Sequence, residues 1–245
     1  MVHISLTSEV LFHIFNFPIT NTLIMTWLVM SILIFFSIIV SKNIKKSPGK
    51  LQNIVEMVIE NMFNFFESVV GSKKQALKFF PITATLFLFI LLSNWLEILP
   101  GLNAIGITEG EAGEGHILPF IRSPSSDLNF TLGLAIISVA LTQIVGIGTI
   151  GFFKYFSKFI CLKSPLGFFV GVLELISEIA KLISFSFRLF GNIFAGEVLL
   201  ITIGVLVPII APIPFLGLEI FVGIIQALIF SLLTLIFFKV ATISD

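Results

Sequence analysis

Charged residues are scarce in this 245-residue chain, where only 11% of positions are Asp, Glu, Lys or Arg. An ordinary soluble domain has roughly 25%, which is what covers its water-facing surface. Hydrophobic residues make up 57% of the chain, and the mean hydropathy is +1.12. The composition therefore excludes a water-soluble globule and predicts an integral membrane protein.

Net charge and cysteine are also lacking. The 14 Lys and Arg balance the 14 Asp and Glu, so the chain has neither a basic face for nucleic acid nor an acidic tail. The single cysteine, Cys161, excludes an internal disulfide and a multi-cysteine metal site. We therefore expect no metal, no cofactor and no nucleic acid among the partners.

The chain contains several long hydrophobic runs without any charged residue. A membrane span needs about 20 apolar residues, because the hydrocarbon core is about 30 Å thick and a helix rises about 1.5 Å per residue. Runs of this size lie at 19–40, 79–96, 128–153, 198–218 and 220–238. Residues 1–18 contain no Lys or Arg, so the first run is predicted to be a retained helix, not a signal peptide.

These runs predict an all-α membrane protein in which residues 1–245 form a single domain with about five membrane helices. Three predicted spans lie at 19–40, 79–100 and 127–153, and two long helices lie at 166–206 and 215–240. Between the first two spans, 51–70 has apolar residues at helical spacing. This amphipathic helix is predicted to lie on the membrane surface or to pack on a partner.

Lysine is concentrated in two connecting segments, which orients the predicted spans. Segment 41–78 contains seven lysines and 154–163 contains three, whereas 101–126 is acidic and has Arg122 as its only basic residue. Cytoplasmic loops carry an excess of Lys and Arg. The two basic segments are therefore predicted to lie inside, and 101–126 outside.

Seven charged residues interrupt the apolar second half of the chain: Glu174, Glu178, Lys181, Arg188, Glu197, Glu219 and Lys239. Each charge at the centre of a membrane helix costs about 2.5–3.5 kcal/mol, so such residues usually face a polar interior and mark an ion path. The alternative is that they form neutralising salt bridges between or within helices. Glu178 and Lys181, three residues apart, fit that alternative.

Helical phase groups the polar side chains into separate stripes. If 166–204 is one continuous helix, four residues share one face: Glu174, Lys181, Arg188 and Asn192. Glu197 points about 140° away from that face at about 100° per residue. On the next helix, Glu219 and Gln226 are seven residues apart and share a face. This pattern predicts two aqueous approaches that do not merge.

The length of the same helix poses a problem. A helix over 166–204 would be about 58 Å long, roughly twice the membrane thickness. It must either break at the Gly191-Asn192 pair or lie strongly tilted in the membrane.

The run FRLFGNIFAGE at 187–197 resembles the signature of subunit a of F-type ATP synthases, the membrane stator of their proton channel. Glu174 lies fourteen residues before Arg188, and Gln226 lies seven after Glu219, as in that family. Two further segments agree in order and spacing, 94–100 and 122–129.

The resemblance implies two long helices that lie almost in the membrane plane as a hairpin and curve around a ring of c subunits. Arg188 would face the ring carboxylate. A guanidinium stays protonated at any accessible pH, so it favours the ionised carboxylate and blocks proton leakage between two half-channels. Lys would be a poor substitute, because burial can remove its proton.

The resemblance also assigns the proton path. Glu197 and Glu219 would line the outer half-channel, with Gln226 and Asn192 placing water or the arginine, and Glu174 would belong to the inner half-channel. Glu97 and Asp127 are further candidates for the proton path. Each could instead be an interfacial residue at a helix end, and Asp127 is suited to an N-cap. Many family members have His at one of the positions of Glu197 and Glu219, so two carboxylates here suggest a shared proton.

The implied role is that of a non-catalytic subunit that couples proton flow to ring rotation and ATP synthesis. Its partners would be the c-subunit ring, the peripheral-stalk b subunits, the rest of the synthase and the lipid bilayer. Phe, Ile and Lys usage favours a bacterial plasma membrane over a mitochondrial inner membrane. The coupling ion, H⁺ or Na⁺, is set mainly by ring residues.

Two other classes of protein also place charges in a membrane. A secondary transporter or channel is the first alternative, although many transporters have two related halves and this chain is asymmetric. An intramembrane hydrolase is the second, but the chain contains neither H-E-x-x-H nor G-x-S-x-G.

Overall fold

The computed structural model describes residues 8–15, 17–99, 106–109, 116–159, 165–207 and 210–243. Cys161, His3 and Pro100 lie outside the described residues. The helices, in chain order, are α1 (Asn21–Lys42), α2 (Lys50–Val70), α3 (Lys73–Ile98), α4 (Leu128–Ile150), α5 (Phe152–Phe159), α6 (Pro165–Leu206) and α7 (Pro212–Ala241).

Five of these helices, α1, α3, α4, α6 and α7, are long and apolar enough to cross a membrane. The predicted all-α membrane class is therefore confirmed. Two short antiparallel hairpins, which the sequence patterns did not indicate, precede α1 and α4: β1 (Val10–Ile14) with β2 (Phe17–Thr20), and β3 (Gly106–Glu109) with β4 (His116–Pro119).

The positions of the helix ends are set by capping residues, which the charge-free runs do not identify. The Thr20 hydroxyl accepts a hydrogen bond from the Leu23 amide at the start of α1. Gly71, at φ +76°, ends α2 in the left-handed region, where a glycine has no steric cost. α3 begins at Lys73, before the run at 79, because a charge-free run marks the stretch suited to lipid and a helix can continue into water.

The long helix α6 is unbroken for 42 residues, through Gly191 and Asn192. At about 1.5 Å per residue it is about 63 Å long, twice the thickness of the hydrocarbon core. Since α6 does not break at Gly191, it must lie tilted in the membrane. With 30 residues, α7 is about 45 Å long, which is also longer than the hydrocarbon core is thick.

The core lies where α7 packs against α3, α4 and α6. Two hydroxyl pairs join α4 to the long helices: Ser138 with Thr234 at 2.7 Å, and Thr131 with Ser186 at 3.1 Å. Hydrogen bonds between membrane helices replace water that the hydrocarbon cannot supply. The surrounding buried apolar side chains are Ile90, Leu134, Ala135, Phe185, Leu189, Ile193, Ala227 and Phe230.

The amphipathic helix α2 packs by its C-terminal end on its own chain. Phe66 and Val70 join a buried cluster with Phe79 of α3 and Phe238 of α7. Its first half remains uncovered, with exposed apolar side chains at Leu51, Ile54, Met57, Val58 and Ile59.

Opposite ends of the helix bundle are marked by two contacts. At one end the Thr22 hydroxyl of α1 donates to Asp127, the cap of α4, at 3.1 Å. At the other end Lys239 of α7 donates to the Val69 carbonyl of α2 at 3.2 Å. If the positive-inside prediction is applied, the Lys239 end is the inner end and the Asp127 end is the outer end.

Two glycines of α4 should respond in opposite ways to alanine. A Cβ at Gly146 would overlap the Tyr155 ring of α5, whereas a Cβ at Gly148 meets nothing within 4 Å. We expect Gly146→Ala to destabilise the protein by about 1–3 kcal/mol through overpacking. Gly148→Ala should stabilise it by up to about 1 kcal/mol, because alanine favours the helix. Thermal unfolding in detergent, followed by circular dichroism, measures both; shifts of the same sign would contradict the contact.

Candidate functional site

Arg188 lies near the middle of α6, with its side chain exposed on the surface of the chain. Its guanidinium donates to the hydroxyl of Ser184, one turn earlier, at 3.2 Å. Within the described residues it makes no ion pair with a carboxylate. Small residues surround it on the same helix face, at Ser184, Gly191 and Ala195, and small residues let a second helix approach closely.

Four charged side chains from four parts of the chain meet on the outer side of Arg188. We call them the outer charge cluster: Glu97 of α3, Arg122 from the segment before α4, Glu197 of α6 and Glu219 of α7. Arg122 and Glu197 form a salt bridge of 3.1 Å between side chains that are 8% and 18% exposed. Glu97 interacts electrostatically with the other three charges.

The carboxylate of Glu219 lies against the backbone of α6. A Cβ at Gly196 would be 3.0 Å from its Oε1 atom, so glycine at 196 leaves room for this carboxylate beside the Arg122–Glu197 pair. Glu97 and Glu219 are each 8% exposed. The Oε1 atom of Glu97 is buried without a hydrogen-bond partner.

Helix α3 is fixed to α7 just below this cluster. The Asn94 amide donates to the Gly223 carbonyl at 3.3 Å, and the Trp95 indole donates to the Ile220 carbonyl at 3.4 Å. Gln226 is buried one turn further along α7. These contacts position the predicted residues Glu97, Glu219 and Gln226 in one region between the two helices.

Asp127 makes its hydrogen bonds with residues outside the outer charge cluster. One of its carboxylate oxygens accepts from the Asn129 amide at 2.9 Å and the other from the Thr22 hydroxyl at 3.1 Å. The predicted N-cap is therefore confirmed. The same side chain also joins α1 to α4.

On the inner side of Arg188 lies a second polar group, the inner network, formed by Gln143 of α4, Tyr155 of α5, and Glu178 and Lys181 of α6. Tyr155 donates to the Gln143 carbonyl oxygen at 2.6 Å, and the Gln143 amide donates to Glu178 at 3.0 Å. Lys181 is the last member of this network and forms a 2.7 Å salt bridge with Glu178, which confirms the pairing expected from their spacing.

Glu174 is half-buried one turn before Glu178. Burial, together with the negative charges of Glu178 and Glu174, raises the pKa of Tyr155 to about 12. The Tyr155 hydroxyl therefore keeps its proton at physiological pH and remains a donor to Gln143.

The continuous helix sets the spacing of these groups. Arg188 lies nine residues from Glu197 and ten from Glu178, which is about 14 Å and about 15 Å along the axis of α6. A positive side chain thus stands between an outer group of carboxylates and an inner one. Asn192 is exposed one turn beyond Arg188 on the same face.

Three groups that the structure brings into the site were missed by sequence reasoning: Arg122, Gln143 and Tyr155. Arg122 had one signal, since it is the only basic residue of an otherwise acidic segment. Gln143 and Tyr155 are ordinary residues for a helix and a loop, and nothing in their spacing indicates a contact. Among the described residues, no group of three His, Cys, Asp or Glu side chains is arranged to hold a metal ion.

Fold and site together define a multi-pass helical membrane protein whose intramembrane charges are grouped along a long tilted helix. The ATP synthase A chain family matches residues 23–239. The ATP synthase subunit a of Campylobacter jejuni subsp. jejuni serotype O:23/36 is 34% identical over 221 residues, which are 89% of this chain and 88% of that protein.

Two other relatives extend the comparison. The ATP synthase subunit a of Gloeobacter violaceus is 36% identical over 214 residues, 87% of this chain and 80% of the relative. The sodium-ion-specific ATP synthase subunit a of Propionigenium modestum is 34% identical over 227 residues, 92% and 75%. The chain therefore belongs to the ATP synthase subunit a family, part of the membrane sector that serves ion transport and ATP synthesis.

Tyr155 is the single tyrosine of the chain, so its titration can be measured directly. Tyrosinate absorbance of the protein in detergent should titrate with a midpoint near 12. Glu178→Gln should lower the midpoint, because it removes a negative charge that opposes the tyrosinate. Glu60→Gln, on the exposed face of α2, is the control and should leave it unchanged. An unchanged midpoint in Glu178→Gln would contradict the inner network.

Proposed function

We propose that this chain conducts protons through two half-channels that end on either side of Arg188, and that it thereby couples proton flow to rotation of a c-subunit ring and to ATP synthesis. The observation that carries this proposal is the exposed guanidinium of Arg188, midway along α6, with a group of carboxylates on each side.

The position of Arg188 requires a partner. An arginine that faced lipid at the helix centre would cost about 2.5–3.5 kcal/mol on insertion scales. A carboxylate on a neighbouring helix would remove that cost, and the small residues Ser184, Gly191 and Ala195 give such a helix room to approach. The ring carboxylate loses its proton beside the permanent cation and takes one up again after it has passed.

The outer half-channel would be lined by Glu197 and Glu219, with Glu97 beside them. These carboxylates meet at the helix crossings where Gly196 leaves space. Gln226 and Asn192 would place water or the arginine between the cluster and the ring. Asp127 would act at the mouth, where it joins α1 to α4.

The inner half-channel would begin at Glu174, which lies on the face of α6 that carries Arg188. The Glu178–Lys181 pair lies on the same stretch but is neutralised internally. Its ties to Gln143 and Tyr155 connect α6 to α4 and α5. This part of α6 would therefore be positioned by the inner network, with Glu174 as the proton acceptor or donor.

The proposed partners would cover exposed surfaces of the chain. The c ring would cover the exposed face of α6, and the peripheral-stalk b subunits would contact other lipid-level surfaces of the chain. The relatives come from bacteria, which favours the bacterial plasma membrane as the location.

Arg188→Ala should abolish proton-driven ATP synthesis, because no cation then drives deprotonation of the ring carboxylate. Arg188→Lys should also be severely impaired, since a desolvated ammonium can lose its proton. Lys42→Ala, an exposed basic position, is the control and should synthesise ATP normally. The measurement is ATP synthesis in inverted membrane vesicles driven by respiration, with the subunit content of each preparation determined. Normal synthesis by Arg188→Ala would contradict the proposal.

Purification of the tagged chain separates this function from a transporter. A stator subunit should co-purify with a ring of small hairpin subunits. Solute uptake by the chain alone in liposomes would instead favour the transporter.

A further inference from the structure

Lys181 lies on the face of α6 that carries the proposed inner half-channel, although the path described above makes no use of it. It is seven residues from Glu174 and seven from Arg188, which is about 10 Å along the helix axis in each direction. Seven residues are close to two helical turns, so the three side chains leave the helix on nearly the same side. An ammonium that extended along this face would therefore lie between the inner carboxylate and Arg188.

The side chain of Lys181 is instead turned towards the interior of the bundle. Its Nζ atom lies 2.7 Å from Oε1 of Glu178 and 4.9 Å from the centroid of the Phe237 ring of α7. That ring is itself stacked on Phe185 of α6, with 5.3 Å between centroids. The Lys181 side chain is only 24% exposed, whereas Arg188 is exposed. A carboxylate and the face of an aromatic ring both stabilise a cation in a partly desolvated place.

The carboxylate of Glu178 is oriented by two other helices. The Tyr155 hydroxyl of α5 donates to the carbonyl oxygen of Gln143 on α4 at 2.6 Å. The amide nitrogen of Gln143 is then the group that faces Glu178, and it donates to Oε2 at 3.0 Å. The other oxygen, Oε1, accepts from Lys181. Both oxygens of this carboxylate therefore have a donor, and one of them is directed at the ammonium.

We propose that Glu178 is a positioning residue, which holds the Lys181 ammonium off the inner proton path. The inference rests on the proposed function, in which that path runs between Glu174 and Arg188. A free ammonium on this face would repel protons that move along the path. It would also attract the ring carboxylate and so compete with Arg188. Phe237 assists Glu178, because it offers its ring to the same ammonium on the interior side of α6.

The sign of the charge that is left behind provides the central test. Glu178→Gln leaves a cation without its anion, whereas Lys181→Met leaves an anion without its cation. In the assembled synthase, Glu178→Gln should lower ATP-driven proton pumping by about ten-fold, the scale of a unit charge about 10 Å away inside a protein. Lys181→Met should pump several-fold faster than Glu178→Gln, and Lys181→Met added to Glu178→Gln should recover most of the loss. Pumping in inverted membrane vesicles, normalised to the amount of assembled complex, is the readout.

Two conservative variants distinguish a positioning role from a structural brace. Glu178→Asp keeps the anion and should pump several-fold faster than Glu178→Gln. Tyr155→Phe lets the Gln143 amide rotate, so it should lower pumping by about three-fold, the scale of one hydrogen bond. Combined with Lys181→Met, Tyr155→Phe should have no further effect, because no ammonium is left to hold. A brace between helices would instead lose strength equally in both backgrounds.

Two outcomes would overturn the inference. One is that Lys181→Met pumps as poorly as Glu178→Gln, which would place Lys181 in the path or make the pair a brace. The other is that Tyr155→Phe lowers pumping equally in the parent and in Lys181→Met. This second comparison removes no charge at position 178, so it decides the question even if Glu178→Gln does not assemble.

Arg188→Ala in the same vesicles keeps this inference separate from the proposed function. If Arg188→Ala pumps normally, the half-channel function itself is wrong. If it pumps nothing while Glu178→Gln and Lys181→Met pump equally poorly, the half-channels stand and the role of Glu178 is wrong.

Discussion

The cost of charge in hydrocarbon is the constraint on which the rest of this structure depends. Pairing with a carboxylate offsets this cost. Lys181 pairs with Glu178 within one helix, and Arg122 pairs with Glu197 of a distant segment of the chain. Arg188 has no carboxylate within the described residues and shows its guanidinium to the outside of the chain. The lack of a carboxylate beside this exposed charge is the reason for proposing that a neighbouring molecule neutralises it.

The length of α6 determines how far apart its charged residues lie in the membrane. A helix that crossed the membrane upright would hold about 20 residues in the hydrocarbon, which is only the stretch from Glu178 to Glu197. At 42 residues, the tilted helix spaces Glu178 and Glu197 about 28 Å apart and places Arg188 between them. Continuity through Gly191 is therefore part of the site, because a break there would change the relative phase of every polar group beyond it.

The sequence predicted the features that depend on local patterns, namely hydrophobic runs and helical periodicity. Charge-free runs located α1, α3, α4 and α7, because length and composition decide whether a segment can span, but the run at 198–218 crosses the end of α6 and the start of α7. Helical phase placed Arg188 and Asn192 on one face. The Arg122–Glu197 pair could not be found in this way, since its members are 75 residues apart and belong to different elements. The inner network likewise depends on how α5 folds back onto α4, where Gly146 admits the ring of Tyr155.

Charge counting explains why the Arg122–Glu197 pair matters for this end of the bundle. Glu97, Glu197 and Glu219 bring three carboxylates into one region between α3, α6 and α7. Like charges held so close together and partly buried repel one another. The guanidinium of Arg122 lies 3.1 Å from Glu197 and keeps its positive charge at any accessible pH, so it offsets one of the three carboxylates. Because that charge comes from a segment outside the membrane helices, the segment before α4 is part of the site and not only a connection between two spans.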